Sequence, residues 1–332
     1  MISMKTTARA VLAVSATAAI VGVTAACGSG GGSGDVSLRL DFVHTGKDAI
    51  WTYGVEQGFF SDEGIDLDIL DGKGSGTTAQ TVSNGSDDFG IMDSGTAITV
   101  AAEGLPIRGV ASVFDQSPVT ILSPADAALT TPEDLEGKSV AVTSGDGPSI
   151  LLPALLDANG VDESSLNLVN MQPQAKLTSL LSGDVDAVST ISLVEVALEQ
   201  QGMDIHSMPY RDFGVETPGY YLATSTSYLE KNRDRVEGFV RATQKSIEAT
   251  LADPDAAIDS FMDKYSDYDR EQAEAELAVM LPLIMGPGAE DHPTGWIDMD
   301  LAESTTEVLE EFGDVKDPEP VEDYLTNEFV SD

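Results

Sequence analysis

An α/β protein in two parts, each built on a mostly parallel sheet flanked by helices, is what this sequence predicts, on three observations. Short apolar stretches of strand length alternate with segments of helical periodicity. The alternation runs through two successive series before a helical finish. The chain has 332 residues, 42% of them hydrophobic and 22% charged, which suffices for two domains of ordinary size with real cores.

The first series opens with 37–43 (SLRLDFV), whose period-two alternation marks a half-buried strand. Residues 47–59 follow with Ile50, Tyr53, Gly54 and Gln57 at helical spacing, and 65–70 (IDLDIL) alternates again, which completes a βαβ unit. The rhythm continues with helix 77–84, strand 88–92, helix 95–103 and strand 107–114. A second series begins at strand 119–124. Thr131, Pro132 and Asp134 then form a Thr-x-x-acid helix start with proline at the first helical position. Strands at 138–143, 166–170 and 185–189 alternate with helices at 148–159, 175–182 and 192–201. One returning strand is expected at 220–224, and everything after it is expected to be helical. Val236, Phe239, Val240, Ile247 and Leu251 make one stripe there, and Leu277, Met280, Leu281 and Ile284 another.

Charge narrows the function. Fifty-seven acidic against 17 basic residues give a formal net charge of -40, a field that repels phosphate backbones and excludes a general nucleic-acid binder. The single cysteine closes no intramolecular disulfide and builds no thiolate cluster. Its position explains it. Lys5 and Arg9, then a mostly apolar run over 10–23, read as a signal peptide of residues 1–26, because the run is shorter than the roughly 20 residues that span a bilayer. The string VTAAC resembles a bacterial lipobox, which implies lipidation of Cys27 as the first mature residue. The competing reading is ordinary cleavage near Ala26 that leaves a free thiol. Gly28 and the Gly/Ser-rich residues up to Asp35 form a flexible tether.

Searches for catalytic and metal constellations find little. His44, His206 and His292 lie far apart without metal-ligand spacing. The string GKGSGTT over 72–78 lacks the Gly-Lys-Ser/Thr ending of a phosphate loop, and no Gly-x-Ser-x-Gly elbow is present. The acid-rich stretch 263–271 lacks the turn glycine of a calcium loop. No cofactor is called for. What remains is small polar residues where strands end and helices begin, at 41–45, 75–78, 93–96, 115–117, 143–147 and 190–192. In open α/β sheets, ligands bind outside the carboxyl ends of strands, so these six junctions suggest two facing edges. Turns and helix caps alone would account for about half of them.

Several strings in order carry a family resemblance: LDFVHTGKDAIWTYGVEQGFFSDEGIDLDI, DDFGIMDSGTAI, AAEGLPIRGVASV, TPEDLEGKSVAVTSGDG and LLSGDVDAVST. They resemble the substrate-binding proteins of ABC importers for nitrate, sulfonates, taurine and thiamine pyrimidine precursors. The resemblance implies a type II periplasmic-binding-protein fold, with lobe one from 36–118 plus 222–332, lobe two from 119–221, and a ligand cleft between lobes that closes on the ligand. It also implies a monomer held at the membrane by its lipid alone, with an ABC permease and ATPase as partners. The family includes a yeast enzyme that makes the thiamine pyrimidine. Its cysteine-rich motif has no counterpart here, so no catalytic residues are expected.

The candidate ligand-binding residues sit at the junctions. Oxyanion ligands need donors, for which Ser75, Gly76, Thr77, Ser94, Ser144 and Gly145 are candidates, yet no arginine falls at a junction: Arg39 and Arg108 lie in strands and Arg211 near the hinge. An aminopyrimidine instead needs carboxylates and flat faces. Asp41 and Phe42 stand where pyrimidine-precursor binders carry Leu-Asp-Trp, while His44, Trp51 and Tyr220 are candidate ring contacts. For Trp51 core packing competes with stacking. Asp93, Asp115, Gln116, Asp146 and Thr190 complete the edges, and the resemblance assigns Glu195 a ring contact. A small nitrogen heterocycle is the favoured ligand, with a sulfonate, taurine or nitrate as the alternative.

Overall fold

A computed structural model of the chain describes residues 35–313 and 315–331. The expected signal peptide, Cys27 and all of the tether but Asp35 lie outside the described residues. The elements run in chain order β1 (Val36–Arg39), α1 (Ala49–Glu56), α2 (Phe59–Asp62), β2 (Leu67–Leu70), α3 (Ser75–Ser83), β3 (Phe89–Asp93), α4 (Ser94–Ala102) and β4 (Ile107–Phe114). Then come β5 (Val119–Pro124), β6 (Ser139–Val142), α5 (Gly147–Ala158), β7 (Asn167–Asn170), α6 (Pro173–Ser182), β8 (Ala187–Ile191), α7 (Leu193–Gln200) and β9 (Ile205–Pro209). The last are β10 (Tyr220–Ser225), α8 (Thr226–Lys231), α9 (Arg233–Ala252), α10 (Pro254–Lys264), α11 (Arg270–Ile284) and α12 (Met299–Phe312).

The strands form two sheets of five, in the orders β2-β1-β3-β10-β4 and β7-β6-β8-β5-β9. In the first, β1 pairs parallel with β2 and β3, while β10 runs antiparallel between β3 and β4. In the second, β6 pairs parallel with β7 and β8, while β5 runs antiparallel between β8 and β9. Each sheet therefore holds one antiparallel strand, the strand the chain enters on crossing from the other lobe. The crossings lie side by side: Ser117 N donates to Thr217 O at 3.0 Å, and Gly219 N to Phe114 O at 3.0 Å. A Cβ on Gly219 would stand 2.5 Å from the Gln116 carbonyl oxygen, so only glycine permits this approach. The return crossing ends earlier than expected. Tyr220 and Tyr221 pair with Asp93 and Met92 of β3 and so belong to lobe one, not lobe two.

Central strands are buried on both faces, as in YYLATS of β10, where all six residues are buried. One face of the lobe-one sheet packs on α1, α9 and α11, with Phe239 of α9 stacked on Phe89 at 3.9 Å. Its other face shares a core with lobe two, formed by residues of α4, α5 and α12. The far face of the second sheet packs on α6 and α7.

Four expectations are corrected. The helix expected over 47–59 is a 3-10 turn at Gly46–Asp48, then α1 and α2, because Gly58 adopts a left-handed φ of 78° between them. The Thr131 capping box closes only a 3-10 turn, Pro132–Leu135, since Gly137 at φ 74° turns the chain into β6. Strand β9 was not expected: it is an edge strand of mixed pattern (IHSMP) without clean alternation. Finally, the part after β10 is not wholly helical. Residues 285–298 carry only one short 3-10 turn, Ala289–Asp291, and the tail after α12 contains a parallel bridge from Leu325 to Gly109. No helix among the described residues is long and apolar enough to cross a membrane.

Candidate functional site

On the lobe-one edge, the loop after β1 folds back so that Lys47 is buried against two carboxylates. Its Nζ lies 2.7 Å from Asp41 Oδ1 and 2.9 Å from Asp48 Oδ1, with the side chain 3% exposed. Asp48 also accepts from Thr45 N, which fixes the turn. Burial alone would lower the Lys47 ammonium, but Asp41 and Asp48 outweigh it and hold it above the usual lysine range. Lys47 also lies 5.7 Å from the centre of the Tyr220 ring. Burial raises the Tyr220 phenol well above its ordinary value, and Asp41, Asp93 and Asp48 push it further, so it stays a neutral donor.

Asp93 ends β3 and caps α4 by accepting from Thr96 N at 2.8 Å, while Ser75 Oγ accepts from Asp93 N at 3.1 Å. Burial lifts its carboxyl above the ordinary aspartate value against the lowering pull of these donors, with the charge of Asp41 adding to the rise. Ser94 is committed to the hinge, its N–H and hydroxyl donating to the carbonyls of Gly219 and Pro218.

Lobe two mirrors this pattern. Asp146 caps α5 by accepting from Ser149 N at 2.9 Å and receives Lys176 Nζ at 2.9 Å. Lys176, on α6, donates as well to Ser189 O at 2.7 Å and is buried. The two edges touch: a Cβ on Gly147 would meet Asp93 Oδ1 at 3.1 Å. Asp41, Ser75, Asp93, Ser94 and Tyr220 thus gather on one side, with Asp146 opposite.

The other candidates fall elsewhere. Phe42 is 45% exposed beyond the Asp41 ion pair, and Thr77 is exposed on α3. Gly76, also on α3, and Gly145, at φ 82°, each face open space. Ser144 is exposed and takes its N–H to Asn170 Oδ1. Thr190, 8% exposed, is the penultimate residue of β8, next to Ser189, whose carbonyl holds Lys176. His44 turns toward α10, stacked on Tyr265 at 3.8 Å with Nδ1 2.8 Å from Asp71 Oδ1. Trp51 is 2% exposed and packs in the core of lobe one, so the packing alternative is the one realised. Glu195 is half-buried near Glu199 and Ser207. Burial raises its carboxyl, Glu199 adds to this and the Ser207 hydroxyl opposes it. Asp115 and Gln116 line a separate cavity of about 460 Å³ beside the hinge, whose remaining wall comes largely from the 285–300 segment.

Neither Lys47 nor Lys176 is among the residues expected from the sequence, where the cations of an oxyanion site are sought as arginines at strand ends. A signal existed for Lys176, which lies four residues before the buried Leu180 and so shares its core-facing side of α6. Lys47 is followed directly by Asp48 and an apolar helix, an ion pair entering a core. Among the described residues, no group of three or more His, Cys, Asp or Glu is placed to hold a metal ion.

The family described as NMT1/THI5 like matches residues 48–257, more than half of the chain. The riboflavin-binding protein RibY of Chloroflexus aurantiacus is 24% identical over 310 residues, 89% of this chain and 86% of its own. The formylaminopyrimidine-binding protein of Halalkalibacterium halodurans is 26% identical over 282 residues, 82% of this chain and 83% of its own. A 4-amino-5-hydroxymethyl-2-methylpyrimidine phosphate synthase of Legionella pneumophila is 23% identical over 209 residues, 61% and 65% of the two chains. Among solved structures, the periplasmic aliphatic sulphonate binding protein SsuA of Escherichia coli superposes with a TM-score of 0.69 at 16% identity, over 87% of this chain and 92% of that one. The two five-stranded sheets joined by paired crossings are therefore the two lobes of a type II periplasmic-binding-protein fold, and the chain belongs to the NMT1/THI5-like family of substrate-binding proteins.

Proposed function

We propose that the mature protein is an extracytoplasmic lipoprotein, anchored through Cys27, that captures one small nitrogen heterocycle between its lobes. The ligand is an aminopyrimidine thiamine precursor or a ring of similar donor pattern, handed without turnover to the permease and ATPase of an ABC importer. One observation carries the ligand class: the charge at the two meeting edges. Four carboxylates (Asp41, Asp48, Asp93, Asp146) stand there against two ammonium groups, Lys47 and Lys176, each bonded to at least one of them. Such an edge accepts hydrogen bonds from ring amino groups and protonated ring nitrogens, with the Tyr220 ring beside it. A sulfonate or nitrate would meet these carboxylates as like charge, with both lysines already paired and only neutral donors left to hold it. The relatives named for riboflavin and formylaminopyrimidine support the same class, and their match over most of both chains supports binding without turnover.

Thermal unfolding with formylaminopyrimidine, riboflavin, taurine and nitrate tests this. A heterocycle at 100 times its dissociation constant is expected to stabilise the fold by about 2.7 kcal/mol. Stabilisation by taurine or nitrate instead would overturn the ligand class, and conversion of a bound pyrimidine to product would overturn the binding-protein reading.

A further inference from the structure

The cavity beside the hinge contains a second, separate constellation. It lies wholly on lobe one and the crossings, with no lining residue between 119 and 217. The segment that closes it is built into the fold at several points. Gly286 N donates to Asp115 Oδ2 at 3.1 Å, Ser112 N donates to Gly295 O at 2.8 Å, and Gln244 Nε2 donates to Thr294 O at 2.8 Å. Asn327 brackets Ile297, accepting from its N–H and donating to its carbonyl, both at 2.8 Å.

Three features of the lining point to one kind of occupant. Asp115, Asp291, Asp298 and Asp300 all line the space, and no lysine or arginine does. Asp115 spends its oxygens on weak neutral donors, the Ser112 hydroxyl and the Gly286 N–H, so its charge has no cationic partner among the described residues. Next, the rings of His292 and Trp296 stack face to face, 4.8 Å apart with planes 5° from parallel, so His292 covers one face of Trp296 and leaves the opposite face to other partners. The third is Tyr221, 1% exposed and lining the same cavity, whose buried hydroxyl makes no hydrogen bond within the described residues. A phenol buried without a partner is destabilising, so a hydroxyl kept in that state in a carboxylate-lined cavity is available to a partner the protein does not supply.

We propose that this cavity is a binding site for a small organic cation, an ammonium or amidinium carried on a flat apolar body. Asp115 and Asp298 neutralise its charge, the Tyr221 hydroxyl hydrogen-bonds it, and Trp296 supports the body through its ring face. An anion meets only like charge here. A neutral ring of the same shape gains the stacking and leaves the carboxylates unanswered. The site touches both crossings through Gln116 and Pro218, so its occupant sits where the lobes hinge.

Calorimetric titration of the whole protein with benzamidine, and with its neutral isostere benzamide, tests the assignment. Benzamidine is expected to bind saturably and to change the fluorescence of Trp296, read in a Trp51→Phe background, while benzamide binds at least tenfold more weakly. Tyr221→Phe keeps the ring and removes only the hydroxyl, and Asp298→Asn keeps the cap of α12. Each is expected to weaken benzamidine several-fold without changing the unfolding midpoint by more than a few degrees. Gly147→Val, at the meeting edges of the lobes, is expected to leave benzamidine affinity unchanged. No saturable benzamidine binding, equal binding of benzamide, wild-type affinity in both Tyr221→Phe and Asp298→Asn, or loss of binding in Gly147→Val would each overturn the proposal. The last outcome would place the cation between the lobes.

Discussion

Asp93 of lobe one and Gly147 of lobe two meet so closely across the cleft that a single added carbon on Gly147 would lie 3.1 Å from the Asp93 carboxylate. The contact joins the end of β3 to the first residue of α5. The packing of the two lobes against each other is thereby made sensitive to added volume at position 147.

Gly147→Val is accordingly expected to hold the lobes apart. Gly147 has no left-handed backbone that would itself penalise a side chain. The expected outcome is a loss of at least tenfold in heterocycle affinity, about 1.4 kcal/mol, with stability within about 0.5 kcal/mol of wild type. Calorimetry gives the first quantity and urea unfolding the second. An unaltered affinity would mean that ligand capture does not bring these edges together.

Removal of the Lys47 ammonium should be costly to the fold itself. Lys47→Met leaves Asp41 and Asp48 buried with no cation, a loss of about 3–5 kcal/mol. Neutralising both carboxylates in the triple variant Lys47→Met, Asp41→Asn, Asp48→Asn should recover much of it. Urea unfolding of the two proteins checks this; equal stability would mean the ion pairs are solvated more than their burial indicates.

Asp93 sets a pH dependence of defined sign. Its folded carboxyl titrates above the ordinary aspartate value because burial disfavours the charge. A group raised in this way contributes its stability in full below the unfolded value and loses it as pH rises through the folded one. Wild type should therefore lose stability relative to Asp93→Asn as pH climbs from the ordinary carboxylate range toward neutrality. Asparagine also caps helices, so α4 survives the change. Parallel unfolding curves of the two proteins at pH 5 and pH 7 provide the comparison, and a constant difference would rule out the burial effect.

Glu195 separates ligand contact from stability. Its carboxyl is raised by burial and makes no ion pair among the described residues, so Glu195→Gln should leave stability at neutral pH equal or slightly higher. Heterocycle affinity should nevertheless fall about tenfold, about 1.4 kcal/mol, if the carboxylate makes the ring contact that the family resemblance implies. Unchanged affinity would remove Glu195 from the site. Asp41→Asn is expected to lower both quantities, because the same oxygen that would face a ligand holds Lys47.

Cys27→Ser tests the anchor. The variant should move from membrane to medium in fractionated cells with ligand affinity unchanged, and equal retention would refute lipidation.

The chain's own pattern determined the class of the fold because that pattern is local. Alternation in β1 and β2, helical spacing in α9 and the apolar runs of β3 and β4 each report burial within one element, and burial has the period of the element that carries it. Strand-end positions of Asp41, Ser75, Asp93 and Asp146 were legible for the same reason, since a cap or turn residue announces itself within three or four neighbours. Tertiary structure alone decided the partners. Lys176 meets Asp146 from thirty residues away and Asp93 meets Gly147 from the other lobe, distances over which no periodicity carries information. Burial then settled each role. Of the two tryptophans, Trp51 went into the core and Trp296 came to line a cavity closed by a segment that reads as helix in sequence, because only the packed neighbours set which face of each remains free.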